Sequence, residues 1–203
     1  MATIDRGDPV FDGLTPDSAE LLSALHRRLA ADAQSAGLLD VAYRTLDTPV
    51  GTLLLAATPA GLVRVAYPNE DHDAVLAVLA ARVSPRILAA PARLDAVARE
   101  IDEYFTGART HFDLPLDLQL ASGFRREVIQ HLREIGYGHR ESYAAVAAAV
   151  GNPRAVRAVG SACAHNPLPV VIPCHRVVRS DGTIGQYVGG IEAKTALLTL
   201  EAA

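Results

Sequence analysis

Leu21, Leu22, Leu25 and Leu29 recur at intervals of three and four. That spacing puts them on one face of a helix opening at Thr15-Pro16-Asp17 and closing near Gly37. Thr15 suits the cap, and Pro16 suits the first turn, where a missing N–H is no loss. Beyond it, Val50–Thr58 and Gly61–Tyr67 are apolar runs divided by Pro59-Ala60-Gly61, the pattern of two strands joined by a turn. Helical spacing returns over Asp71–Arg82 and Ala90–Phe105. The first half is therefore expected to form a small α/β domain, with no cluster of catalytic residue types in it.

Residues 106–121, with Gly107, Pro115 and the alternating Leu114, Leu116 and Leu118, predict a connector containing a short extended piece. After it the chain turns helical. Phe124, Val128, Ile129, Leu132 and Ile135 make one apolar stripe ending at Gly136. A second helix is expected over Glu141–Val150, a turn at Gly151-Asn152, and a third helix over Pro153–Ala164 capped by Asn152. Two short helices joined through a glycine-containing turn resemble a helix-turn-helix, a pattern shared by any helical hairpin. Arg154 and Arg157 add to it, because they fall in the first turns of the second helix, where a recognition helix touches DNA. The expected organisation is an extension with one amphipathic helix (1–40), an α/β structural domain (41–112) and a mainly helical DNA-binding and transfer domain (113–203).

Of the 203 residues, 50% are apolar and 21% charged, a globular composition. The opening MATIDRGDPVFDGL carries early acids and no apolar segment, and the longest apolar stretches, such as Ala74 to Ala81, are too short for a bilayer. A cytoplasmic protein with no membrane partner is expected. The net charge of −4 argues against nucleic acid, but its distribution changes that picture. Residues 1–113 hold ten Lys/Arg against sixteen Asp/Glu. Between Arg125 and Arg179 stand eight arginines (125, 126, 133, 140, 154, 157, 176 and 179) and only Glu127, Glu134 and Glu141 as acids. That basic stretch suits a phosphate-facing surface, although charge alone does not separate it from an ordinary solvated one.

Only two cysteines occur, Cys163 and Cys174, which is neither a disulfide framework nor a structural zinc set. The histidines at 26, 72, 111, 131, 139 and 165 show no metal-ligand pairing, so no metal or cofactor is expected. Cys163 sits among alanines with no adjacent base and reads as packing. Cys174 follows the apolar run Pro167-Leu168-Pro169-Val170-Val171-Ile172-Pro173 and precedes His175-Arg176. A lone cysteine is commonly buried and inert. A histidine and an arginine beside this one offer a proton acceptor and a cation, which would lower its pKa.

Pro173-Cys174-His175-Arg176-Val177 resembles the active-site signature of the O6-alkylguanine-DNA alkyltransferases. Ser142-Tyr143, Asn152 to Gly160, Asn166-Pro167, Ser180-Asp181-Gly182, Gly189 to Lys194 and Leu197-Leu198 to Glu201 match that family in order and spacing, with a looser likeness back to about Tyr43. The resemblance implies a ribonuclease H-like first domain and a winged helix-turn-helix-like second one. It implies direct-reversal repair: transfer of an alkyl group from O6-alkylguanine (and O4-alkylthymine) in double-stranded DNA to Cys174, irreversibly and once per molecule, by a monomer. Cys174 would be the nucleophile and His175 the base acting through a water, with Glu201 orienting it and Asn166 holding the turn before the active-site strand. Tyr187 would hold the flipped base and protonate the leaving guanine at N3. The backbone at Val188 and Gly189, with the carbonyls of Cys174 and Val177, would read guanine's polar edge, and Lys194 would belong to the same substrate site. Tyr143 would push on the 3′ phosphate, Arg157 would fill the vacated stack, and Ala155, Ala158 and Gly160 would allow close approach to the minor groove. Arg154 and Arg176 would also contact DNA. Rival readings are a helix-turn-helix regulator, a cysteine-less lesion sensor and a cysteine hydrolase. Departures from the family are the extension 1–40, the absence of cysteines for a structural zinc, Val128-Ile129 in place of an aromatic, and the apolar Val188.

Overall fold

The computed structural model of the chain describes residues 16–202. Helix α1 (Pro16–Ser35) stands in a unit of its own within residues 1–39, and residues 40–203 form the second unit. Its opening at Pro16 agrees with the sequence pattern, whereas the expected Thr15 cap lies outside the described residues. Arg28 and Asp32 pair along its surface at 3.7 Å.

The second unit is built on a sheet of β1 (Val41–Leu46), β2 (Leu53–Thr58), β3 (Gly61–Ala66) and β4 (Ile87–Ala89), in the order β3-β2-β1-β4. Only the β1–β4 pair is parallel. Every residue of β2 is buried, which explains why Leu53-Leu54-Leu55-Ala56-Ala57 is continuously apolar rather than alternating. Helix α2 (His72–Arg82) covers one face, packing Val75 and Leu79 against Val41, Leu54, Ala56, Val63 and Ala66. Asp71 caps it, accepting from the N–H groups of Asp73 and Ala74 at 3.2 and 3.4 Å. The helix expected over Ala90–Phe105 divides into a 3₁₀ turn, Pro91–Leu94, and α3 (Asp95–Phe105).

The connector runs along the free edge of β3. Leu62 N–H donates to Pro115 O, and Asp117 N–H to Leu62 O, both at 2.8 Å. A Cβ on Gly61 would lie 2.2 Å from Pro115 O, so this crossing requires glycine. Past it, α4 (Gly123–Leu132) stops earlier than its apolar stripe, because bonds of the i→i+3 kind tighten Arg133–Ile135 into a turn. Ile135 is buried nonetheless.

Two expected boundaries are corrected. Glu141–Ser142 is not helical but a short strand, β5, paired in parallel with β6 (Val177–Val178); α5 (Tyr143–Ala149) follows, with Ser142 Oγ accepting from Ala145 N–H at 3.0 Å. Asn152 does not cap the next helix. Residues 152–155 close their own turn, Ala155 N–H donating to Asn152 O at 2.9 Å, and α6 (Val156–Ala164) begins after it. Arg154 therefore lies in the turn, and Arg157 in the helix's first turn. Helix α7 (Gly190–Leu200) carries the chain to Glu201. No helix among the described residues is long and apolar enough to cross a membrane.

Candidate active site

The run before Cys174 is not the strand that was expected. Prolines 167, 169 and 173 have no N–H for a ladder, and Val170 takes a positive φ of 72°, a strained setting for a β-branched residue. Asn166 holds these turns together. Its side-chain amide donates to Ile172 O at 2.9 Å and to Cys174 Sγ at 3.2 Å, while its carbonyl accepts from Leu168 N–H at 3.0 Å. The chain then enters a 3₁₀ turn, Cys174–Arg176. From the other side, Val65 N–H of β3 donates to Pro167 O at 2.8 Å, so the sheet's free edge carries the turn that carries the cysteine.

Cys174 is 2% exposed. Burial pushes its thiol up to about 11, against the opposing pull of the Asn166 amide and the Lys194 ammonium. The expectation of a lowered thiol pKa is thereby corrected: the resting group is a neutral thiol. Its supposed cation points elsewhere. Arg176 is buried, its Nε donating to Glu201 Oε2 at 2.9 Å, its Nη2 to Oε1 at 2.8 Å and its Nη1 to Ile135 O. A guanidinium saturated in this way does not reach DNA, so the DNA contact expected of Arg176 is corrected as well.

His175 is fully buried, with Nε2 2.9 Å from Glu201 Oε1. Burial alone would raise the Glu201 carboxyl, but the hydrogen bonds from His175 and Arg176 outweigh it and hold the group at about 2. The carboxylate is thus ionised. Burial lowers the His175 pKa against the attraction of Glu201, so the ring is neutral, and its one proton belongs on Nε2, facing the carboxylate. Nδ1, which has no partner among the described residues, keeps its lone pair. A buried acid, an oriented imidazole and a neutral thiol on adjacent residues can run as an activated-nucleophile relay.

Sequence reasoning missed one member of that relay. Tyr104 of α3, fully buried, donates its hydroxyl to Glu201 Oε1 at 2.6 Å. Nothing local marks it, because the two residues are 97 positions apart. Gly138 N–H adds a weaker bond to Oε2 at 3.3 Å.

Beside this core lies a cleft of about 350 Å³ lined by Tyr143, Gly160, Ala164, Arg179, Gly185, Gln186, Tyr187 and Val188. Tyr143, Tyr187, Val188 and Gly160 thus come together as candidate site residues. Burial holds the Tyr187 hydroxyl well above its ordinary pKa, so it stays a proton donor. Lys194 does not line the cleft: it is fully buried, its ammonium donating to Val177 O at 2.6 Å and lying 5.9 Å from the Tyr143 ring centre. Its expected contact with substrate is corrected to a support beneath β6. On α6, Val159, Ala162 and Cys163 face the core, while Arg157 and Ala158, with Arg154 in the turn before, are exposed and Ala155 is half-buried. The Cys163 thiol is pushed up by burial, in keeping with a packing role. Arg126, Arg133, Arg140 and Arg179 are also exposed, so most of the basic excess is displayed outward.

Two family models match the chain. One, "6-O-methylguanine DNA methyltransferase, ribonuclease-like domain", covers residues 41–118, and the other, "6-O-methylguanine DNA methyltransferase, DNA binding domain", covers residues 123–203. The methylated-DNA–protein-cysteine methyltransferase of Mycolicibacterium paratuberculosis is 37% identical over 161 residues, 79% of this chain and 92% of that protein. The solved O6-methylguanine methyltransferase of Mycobacterium tuberculosis superposes with a TM-score of 0.71 at 35% identity, covering 80% of this chain and 93% of its own. The same organism's OGT in complex with DNA gives 0.70 at 35% identity, over 79% and 92%. With both halves matched in order, and with relatives this similar over nearly their whole length, the chain belongs to the 6-O-methylguanine DNA methyltransferase family.

Proposed function

We propose that this protein is a methylated-DNA–protein-cysteine methyltransferase that repairs O6-alkylguanine in double-stranded DNA by moving the alkyl group to Cys174. The observation that carries the reading is the buried His175–Glu201 pair, bonded at 2.9 Å through Nε2, which leaves Nδ1 basic on the residue next to the thiol. The thiol proton passes to Nδ1 through a water. The sulfur lone pair then forms a bond to the alkyl carbon while the carbon–O6 bond breaks and its electrons stay on guanine. Guanine takes a proton at N3 from Tyr187, which regains one from His175 through solvent. A thioether is a poor leaving group, so each molecule acts once.

The target carbon is unreachable in a stacked base, and extrusion costs a few kcal/mol, less for a damaged pair. The exposed Arg157 suits the vacated space, since a guanidinium is flat and stacks, and Arg154 with the other exposed arginines suits phosphates. Ala155, Ala158 and Gly160 leave the start of α6 low enough for close approach to the minor groove. Val188 and Gly189, with the carbonyls of Cys174 and Val177, read the base edge, and Asn166 positions the thiol. The reading includes a monomer in the cytoplasm, free of any cofactor. A lesion sensor or regulator would have no use for the cysteine and its relay.

Intact-protein mass after mixing with an O6-methylguanine duplex tests this. One added methyl, located on the Cys174 peptide, is expected; Cys174→Ser should gain none and Cys163→Ser should gain it normally. An unmodified wild type with the lesion intact refutes the reading.

A further inference from the structure

The base-binding loop is held from the sheet half of the molecule, by residues that no site motif contains. β3 ends at Ala66, and Tyr67 leads into a 3₁₀ turn, Pro68–Glu70. Three contacts reach from there to the loop. Tyr67 Oη lies 3.1 Å from Tyr187 Oη, with the rings edge to face at 5.7 Å. Asn69 donates its side-chain amide to Val188 O at 2.8 Å. The Tyr67 ring lies so close to Gly189 that a Cβ there would be 2.5 Å from Tyr67 Cε1.

The same turn is tied to the cysteine's side of the site. Tyr67 N–H donates to Glu70 Oε1 at 2.9 Å, Glu70 pairs with Arg64, and Arg64 Nη1 donates to Asn166 O and Pro167 O at 3.4 Å each. The turn bearing the thiol and the loop facing it are thus referenced to one short stretch of backbone. We propose that Tyr67 and Asn69 are positioning residues that fix how far the Tyr187–Gly189 loop stands from Cys174, and thereby set the largest O6 substituent the site accepts. This rests on the alkyl-transfer reading. A methyl group asks the least of the loop. A bulky group must push the loop outward and break the bonds from Asn69 and Tyr67.

The test compares O6-methylguanine with O6-benzylguanine in the same duplex, using the full chain and measuring second-order rates of Cys174 alkylation. Asn69→Ala should raise the benzyl-to-methyl rate ratio about threefold to tenfold, the worth of one hydrogen bond, with the methyl rate little changed. Tyr67→Phe, which keeps the ring on Gly189, should move the ratio in the same direction. Hydrogen exchange at the amides of 187–189 should quicken in both variants, a readout that needs no activity. An unchanged ratio, or a parallel fall in both rates with a lower melting temperature, overturns the proposal. A wild type that transfers neither group overturns the alkyl-transfer reading itself, whereas transfer with an unmoved ratio sinks only the brace.

Discussion

Replacing Glu201 with glutamine would leave a buried guanidinium, an imidazole N–H and a phenol facing an amide instead of a carboxylate. The amide keeps one acceptor oxygen and turns a donor toward donors. Arg176, 7% exposed, would lose its counter-charge, and breaking a buried pair in this way costs about 3–5 kcal/mol. The carboxyl's own titration gives a second route to the magnitude. Its pKa falls from 4.5 to about 2 in the fold, which corresponds to about 3 kcal/mol. Because the folded pKa is depressed, this stabilisation is fully present above about 4.5 and is lost as pH falls toward 2. For a domain of this size, about 3 kcal/mol is a drop of roughly 6–12 °C in melting temperature. Thermal unfolding of the wild type and Glu201→Gln by circular dichroism, from neutral pH down to pH about 3, checks it. The gap should be widest at neutral pH and narrow in acid, and alkyl transfer by the variant should be slow even where it is folded, since His175 loses the group that charges it. A gap of constant size at every pH would refute the reasoning, as would wild-type transfer by the folded variant.

Three further outcomes follow from the same geometry. Tyr104→Phe removes a hydrogen bond to a buried carboxylate, worth about 1.5–3 kcal/mol, and should lower the melting temperature and slow transfer together; a silent variant would remove α3 from the relay. With the resting thiol held at about 11, iodoacetamide should label Cys174 slowly at neutral pH and faster as pH climbs toward that value, and a rate already at its plateau near pH 8 would contradict a neutral buried thiol. Arg157→Ala should cripple repair in duplex DNA yet leave reaction with free O6-alkylated guanine nearly untouched, with no rescue by low salt; rescue would mean a phosphate contact, and equal loss on both substrates a disturbed fold.

What the sequence made legible depends on how far apart its partners lie. The elements of the sheet half with continuous or periodic burial, β2, β3 and α2, could be read because each carries its own pattern. β1 and β4 could not: Val41–Leu46 mixes Tyr43, Arg44 and Thr45 into the strand, and Ile87–Ala89 is only three residues long. The thiol turn was legible as a motif, but its chemistry was misread in one respect. Adjacency in sequence put Arg176 beside Cys174, whereas three successive residues of a 3₁₀ turn point in different directions, and this one sends its cation to Glu201. The pKa followed the burial of the segment, which no local charge pattern reveals. Tyr104, Tyr67 and Asn69 mark the same boundary more sharply. Each touches a residue of the site, yet each lies in the half that supplies no chemistry of its own and about 100 or more positions away. Motifs gather residues that must keep a fixed spacing along the chain. Residues that hold such a motif from outside answer only to the packing of the two halves, so they become visible where β3 and α3 meet the helical half. That is why the sheet half, silent in sequence, carries both the Tyr104 hydrogen bond to the relay's acid and the brace on the base-binding loop.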